Sequence, residues 1–231
     1  MINVRRSLRQ VCALSLTAML VTLQPLTALA NCKENAMIVF DSSGSMGAPS
    51  EGARRLDVAR QAIDDVLPEV TATRPTGLVT YGGAFAFGCD SVDLKLPPMA
   101  NSASLIRSEL LGLEPSGQTP LTEATWLAAQ ALDQAERRGT VVVITDGREN
   151  CGLNVCALGA KLRVEAPNIR VHVIGFHLRA ASEASIACLA QSTKGTYAST
   201  RSLYELKAAL RKTLTCPRIS AAPLAPLTVV R

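Results

Sequence analysis

Ala36-Met37-Ile38-Val39-Phe40, followed at once by Asp41-Ser42-Ser43-Gly44-Ser45, is an apolar run that stops on a cluster of oxygen-bearing side chains. A second run, Val141-Val142-Val143-Ile144, stops in the same way on Thr145-Asp146-Gly147. Both have the length and apolar character of a parallel strand buried on its two faces. A polar cluster at the end of such a strand falls at the carboxyl edge of the sheet, where open α/β folds place their ligands. A third cluster, Ser116-Gly117-Gln118-Thr119-Pro120, lies between the two in sequence.

The segments around these runs alternate between strand and helix. Leu56, Ala59, Ile63, Val66, Leu67 and Val70 recur at helical spacing. Leu78 to Tyr81 is the next strand. Val92, Leu94 and Leu96 alternate with Asp93 and Lys95, the pattern of a half-exposed strand. Ten residues separate Tyr81 from Val92, too few for a parallel crossover, so this pair is expected as an antiparallel hairpin at the sheet edge. Helices are expected over Ser102–Leu113 and from near Thr119, with Pro120 at an early helical position, to about Arg138. The strand Thr140–Thr145, a helix over Cys156–Val164, the strand Arg170–Phe176, a helix over Ser182–Gln191, a short edge strand Gly195–Ser199 and a helix over Leu203–Leu214 complete the series. Such alternation predicts a parallel sheet with helices on both faces.

Of the 231 residues 48% are apolar and only 3% aromatic, so one core of Val, Leu, Ile and Ala is expected. Residues 1–30 stand apart from it. Arg5, Arg6 and Arg9 precede the short apolar stretch Val11–Leu23, and Ala28-Leu29-Ala30 is a small-x-small cleavage site, together a secretory signal peptide too short to span a bilayer. Arg5-Arg6 and Leu29-Ala30-Asn31-Cys32 also invite twin-arginine and lipoprotein readings. Cleavage after Ala30 is preferred, because Asn31 suits a lipoprotein box poorly and Cys32 has a structural use. The product is then periplasmic or secreted, with no integral membrane segment. Without the three leader arginines the chain carries 21 bases against 19 acids, a net +2. No basic stripe with interleaved aromatics occurs, so nucleic acid is not an expected partner. Residues 217–231, rich in Ala and Pro, are expected to be a flexible tail.

Asp41, Ser43 and Ser45 as D-x-S-x-S, with a distant Thr119 and a distant Asp146, resemble the metal-ion-dependent adhesion site of von Willebrand factor A-type domains. The phrase Thr145-Asp146-Gly147-Arg148-Glu149-Asn150-Cys151, then Cys156 and Val171-His172-Val173-Ile174-Gly175-Phe176, is most similar to the small exported bacterial members. The resemblance implies a domain over residues 31–216 with a Rossmann-like α/β fold: a central, mostly parallel six-stranded sheet with one antiparallel edge strand. It also implies a divalent cation, Mg²⁺ first and Mn²⁺ or Ca²⁺ otherwise, held by those five residues. Ser43, Ser45 and Thr119 offer neutral hydroxyls, while Asp41 and Asp146 contribute charge, often through water. An ion so held stays electron-poor and accepts a carboxylate from an Asp or Glu of a partner protein. Arg148, Glu149 and Asn150 follow on the rim and are candidates for partner contact. The competing bland readings are that Asp41, Ser43 and Ser45 cap the first helix and that Thr145-Asp146-Gly147 is an ordinary turn. Tyr81, Phe85 and Phe87 belong either to a binding rim or to packing under the hairpin loop. His172 and Trp126 are expected to pack, and His177 lies near the rim.

Six cysteines remain after the leader, an even number that in an exported chain reads as disulfides. Family domains of this kind bring their ends together, which pairs Cys32 with Cys216; closing so long a loop stabilises by roughly 4–5 kcal/mol. Cys89–Cys151 with Cys156–Cys188 joins neighbours around the rim. A local Cys151–Cys156 bridge is the alternative. No enzyme is expected: there is no G-x-S-x-G elbow, no phosphate-binding G-x-x-x-x-G-K-[ST] and no evident general base. The second reading is a metal-dependent hydrolase of the cell envelope.

Overall fold

The computed structural model describes Cys32 and residues 34–83, 88–133 and 138–216. The expected leader, the expected tail, Phe85 and Phe87 fall outside these residues. Along the chain run β1 (Asn35–Ser42), the short β2 (Pro49–Ser50) and β3 (Ala53–Arg54), α1 (Arg55–Thr71), β4 (Thr76–Gly82), β5 (Val92–Met99), α2 (Ala103–Leu111), α3 (Leu121–Asp133), β6 (Gly139–Thr145), α4 (Val155–Glu165), β7 (Ile169–Phe176), α5 (Ala180–Ser192), β8 (Tyr197–Thr200) and α6 (Leu203–Leu214). Six strands form one sheet in the order β5-β4-β1-β6-β7-β8. Its pairings are parallel except β4–β5, the expected hairpin. Strands β2 and β3 make a separate two-stranded ribbon that no apolar run announces.

The alternation of β1 sorts its side chains between two cores. Ala36, Ile38 and Phe40 pack with Leu56 and Ile63 of α1 and Leu206 and Leu210 of α6. Met37 and Val39 pack with Leu121 and Ala128 of α3 and with the apolar faces of α4 and α5. Asp41 has the parity of Met37 and Val39, so it ends the strand on the α3 side of the sheet. Helix α3 begins at Leu121, near Thr119 as expected. The Thr119 N–H is taken by the Asn150 side chain at 2.7 Å, which holds that residue in the preceding loop.

Three disulfides, Cys32–Cys216, Cys89–Cys151 and Cys156–Cys188, have Cα separations of 5.6, 5.6 and 5.4 Å. The local Cys151–Cys156 alternative is thereby ruled out. Disulfides of this number fit an oxidising compartment. Near the Cys32–Cys216 bridge the buried Arg74 ties the ends together. It donates to the Glu34 carbonyl at 3.1 Å, the Leu214 carbonyl at 3.0 Å and Thr140 Oγ1 at 2.6 Å. Burial lowers its pKa to about 10, which still leaves it charged at neutral pH. Among the described residues no helix is long and apolar enough to cross a membrane.

Candidate metal centre

Backbone bonds lace three loops together at the carboxyl edge of the sheet. Asp41 lies opposite Tyr81 of β4, and Phe40 opposite Ile144 of β6, so the ends of β1 and β6 sit side by side. Ser42 Oγ donates to the Tyr81 carbonyl at 2.7 Å. Gly82 (φ +78°) turns the end of β4 so closely under the first loop that a Cβ there would sit 2.5 Å from Ser43 N. The loop before Thr119 is bonded to the first loop in both directions: Ser116 N–H to the Ser42 carbonyl at 3.0 Å, and Gly44 N–H to the Gly117 carbonyl at 3.2 Å. Gly117 is itself left-handed (φ +76°), which lets its carbonyl face Gly44.

The five expected ligands converge on this edge. Asp41 is fully buried; its Oδ1 accepts from Ser43 N–H at 2.8 Å and its Oδ2 from Thr145 Oγ1 at 2.7 Å. Thr145 Oγ1 in turn accepts from the Tyr81 hydroxyl at 3.1 Å. Ser43 Oγ and Ser45 Oγ lie 3.2 Å apart, and Ser45 Oγ donates to Asp146 Oδ1 at 2.6 Å. A Cβ built on Gly147 would stand 3.4 Å from Ser45 Oγ and 3.7 Å from Thr119 Oγ1, so both hydroxyls border one small space. The donor set is oxygen only and mixes three neutral hydroxyls with two carboxylates, the chemistry a hard divalent cation takes. Burial first, and the neighbouring Asp146 carboxylate second, push the Asp41 pKa up to about 6. A cation beside the pair removes that repulsion. On donor type and on charge the residues therefore fit the ion.

Two residues that sequence reasoning passed over complete the arrangement. Thr145 bridges Tyr81 to Asp41, which explains why fully buried Tyr81 supports the site from below instead of forming a rim. Arg55 reaches Asp146 Oδ2 through Nη1 at 2.7 Å. Its signal was legible: Arg54 and Arg55 place two cations at the N-terminal end of α1, where the helix dipole disfavours them unless carboxylates answer. Asp57 and Glu114 answer Arg54, and Asp146 answers Arg55.

The three rim candidates behave differently from one another. Arg148 is exposed and lines a cavity of about 530 Å³ that also touches Ser45, Thr119, Asp146, His177 and Arg179. Glu149 turns back to the α3 N-terminus, accepting from Thr122 N–H at 2.8 Å and from Cys151 N–H at 2.7 Å. Asn150 holds Thr119 as described. His177, left-handed at φ +54°, bonds Ser50 Oγ through Nε2 at 2.8 Å, so the β2–β3 ribbon is fastened to the cavity wall. His172 accepts from Thr196 N–H at 3.1 Å on β7, and burial lowers its pKa to about 4. Trp126 packs on the second core with Lys161 Nζ 3.8 Å from its ring centroid. Asn150→Ala is expected to cost about 1–2 kcal/mol in urea unfolding, because the Thr119 N–H loses its acceptor. It should also weaken Mg²⁺ binding in calorimetry, since Thr119 is then no longer held toward Ser45.

Residues 36–149 match the profile of the von Willebrand factor type A domain. YwmD of Bacillus subtilis is 29% identical over 191 residues, covering 77% of this chain and 84% of that one. An aerotolerance-related membrane protein of Bacteroides fragilis superposes with a TM-score of 0.60 at 18% identity, over 78% of this chain and 98% of that one. The pilus adhesin SpaC of Lactobacillus rhamnosus GG superposes with a TM-score of 0.61 at 14% identity, over 79% of this chain and 30% of that one. Residues 36–149 are thus similar to a von Willebrand factor type A domain, and they supply the central strands of the mostly parallel six-stranded sheet and its antiparallel edge.

Proposed function

We propose that this chain is an exported, metal-dependent protein-binding module that captures a carboxylate of a partner protein. The observation that carries the reading is the convergence of Ser43, Ser45 and Asp146, with Ser45 Oγ 2.6 Å from Asp146 and Ser43 Oγ 3.2 Å from Ser45 Oγ, above a fully buried Asp41. Asp41, Ser43, Ser45, Thr119 and Asp146 would hold the ion, Mg²⁺ before Mn²⁺ or Ca²⁺. When bound, the ion supplies a Lewis-acidic position for the partner's Asp or Glu. The protein's part is to keep three hydroxyls and two carboxylates facing one space, so that little reorganisation accompanies binding. Three disulfides support the exported setting, as does the leader read from residues 1–30. The likeness of fold to a pilus adhesin is consistent with an adhesive or scaffolding role. The Ser50–His177 contact on the cavity wall, 2.8 Å, is read as the fastening of the β2–β3 ribbon, and binding without turnover is preferred to hydrolysis.

Calorimetry of the protein with Mg²⁺ is expected to give one site, absent in Ser43→Ala. Immobilised protein should retain envelope proteins in Mg²⁺, release them in EDTA, and retain none once the extract's carboxylates have been amidated. A flat Mg²⁺ titration, or retention indifferent to EDTA, overturns the reading.

A further inference from the structure

Many arginines of the described surface are answered by carboxylates: Arg54 and Arg60 by Asp57, Arg107 by Asp64, Arg170 by Glu34 and Arg211 by Glu69. Around the mouth of the candidate metal centre the pattern breaks. Arg148 and Arg179 are exposed, line the same cavity as Ser45, Thr119 and Asp146, and meet no carboxylate among the described residues. They come from different elements, Arg148 from the loop after β6 and Arg179 from the N-cap of α5, where a cation is disfavoured by the helix dipole. Among the described residues Asp146 is the one acidic side chain on the cavity wall, and Arg55 and Ser45 already engage it. Burial first, then Arg55 and Arg201, lower the pKa of His177 on the same wall, against the opposing pull of Glu51 and Asp146. The wall is thus electropositive before any cation enters. Two guanidinium groups in that setting recruit and orient an anion beyond the single carboxylate an ion takes.

Resting on the metal-binding reading above, we propose that the cavity is a two-point site for an acidic peptide segment: one carboxylate meets the ion, and a second is held by Arg148 and Arg179. An extended segment places residues i and i+2 on one face about 7 Å apart, so an acidic-x-acidic sequence presents both groups together. Arg148 and Arg179 then determine which acidic proteins are accepted, while the five oxygen ligands determine that the ion is needed.

The test uses two terminally blocked peptides, Gly-Gly-Asp-Gly-Gly and Gly-Gly-Asp-Gly-Asp, titrated into the Mg²⁺-loaded protein and followed by NMR chemical shifts. Wild type is expected to bind the diacid about five- to tenfold more tightly, the range two exposed ion pairs supply. Arg148→Gln with Arg179→Gln should erase that preference, while Mg²⁺ and the monoacid still bind. Raised salt should erase it too, since both arginines are solvent-exposed. Mg²⁺-dependent binding of both peptides with equal affinity in wild type overturns the two-point site and leaves the proposed function standing, as does a preference that survives in the double variant. Failure of both peptides to bind the Mg²⁺-loaded protein overturns the two together.

Discussion

Asp41→Asn is expected to abolish divalent-cation binding and, at the same time, to make the metal-free protein more stable at pH 7 by about 3 kcal/mol. The two effects share one cause. Asp41 is buried without a cation of its own and faces the Asp146 carboxylate, which is why its folded pKa rises from 3.8 to about 6. A carboxyl whose folded pKa is raised binds its proton more tightly in the native state than in the unfolded chain. Metal-free stability is therefore highest below pH 3.8 as far as this group is concerned, falls as the pH climbs through 6, and carries the full penalty at pH 7. Asn removes the charge but retains an oxygen for Ser43 N–H. Thr145 Oγ1 can then turn its proton to the Gly147 carbonyl, 3.1 Å away, and accept from the new amide in place of the Gly147 N–H. Urea unfolding in EDTA between pH 4 and 8 should show a slope for wild type that the variant lacks, and adding Mg²⁺ should restore the wild type alone. If the variant binds Mg²⁺ with wild-type affinity, Asp41 is not part of the metal site.

Replacing Cys32 and Cys216 by Ser should cost about 5 kcal/mol, against about 4 kcal/mol for replacing Cys156 and Cys188. The difference arises in the unfolded chain. The first bridge closes a sequence separation of 184 residues and the second one of 32, and the entropy removed grows with the logarithm of the loop. The first bridge also lies beside Arg74, whose hydrogen bonds to the Glu34 and Leu214 carbonyls join the same two ends of the domain. Once the ends fray, Arg74 loses these acceptors, so the two losses should be coupled and not additive. Denaturant midpoints of the two double variants decide the matter; a larger loss for Cys156 and Cys188 would show that strain or local packing, not loop closure, dominates. The chain without residues 1–30 should show no titratable thiol in denaturant without reductant.

The fold was readable because its strands announce themselves twice, by apolar β-branched runs and by the polar residues that stop them. The ten-residue spacing between Tyr81 and Val92 was enough to reverse β5, since no crossover fits into it. The residue at which α3 starts, Leu121, depends on something outside that segment: Asn150, thirty-one residues on, takes the Thr119 N–H and keeps Thr119 in the preceding loop. The β2–β3 ribbon was missed because each strand has two residues and its position depends on the Ser50–His177 bond, not on a hydrophobic period.

Sequence alone settled what is local or periodic: which runs become buried strands, which faces of the helices turn inward, and which clusters fall at the carboxyl edge. Those follow from side-chain volume and polarity repeated at a period of two or of 3.6 residues, and they need no partner to be recognised. Only the tertiary structure decided how each polar residue at that edge is spent. Asp41, Glu149 and Asn150 are all acceptors placed at or just after strand ends, yet one is buried under a candidate ion site, one caps a helix and one holds a loop. Arg55 and Arg148, similar in sequence, differ in the same way, one paired with Asp146 and the other open to solvent. A charge or a hydrogen-bonding group has no fixed role until its neighbours across the fold set its burial and its partner.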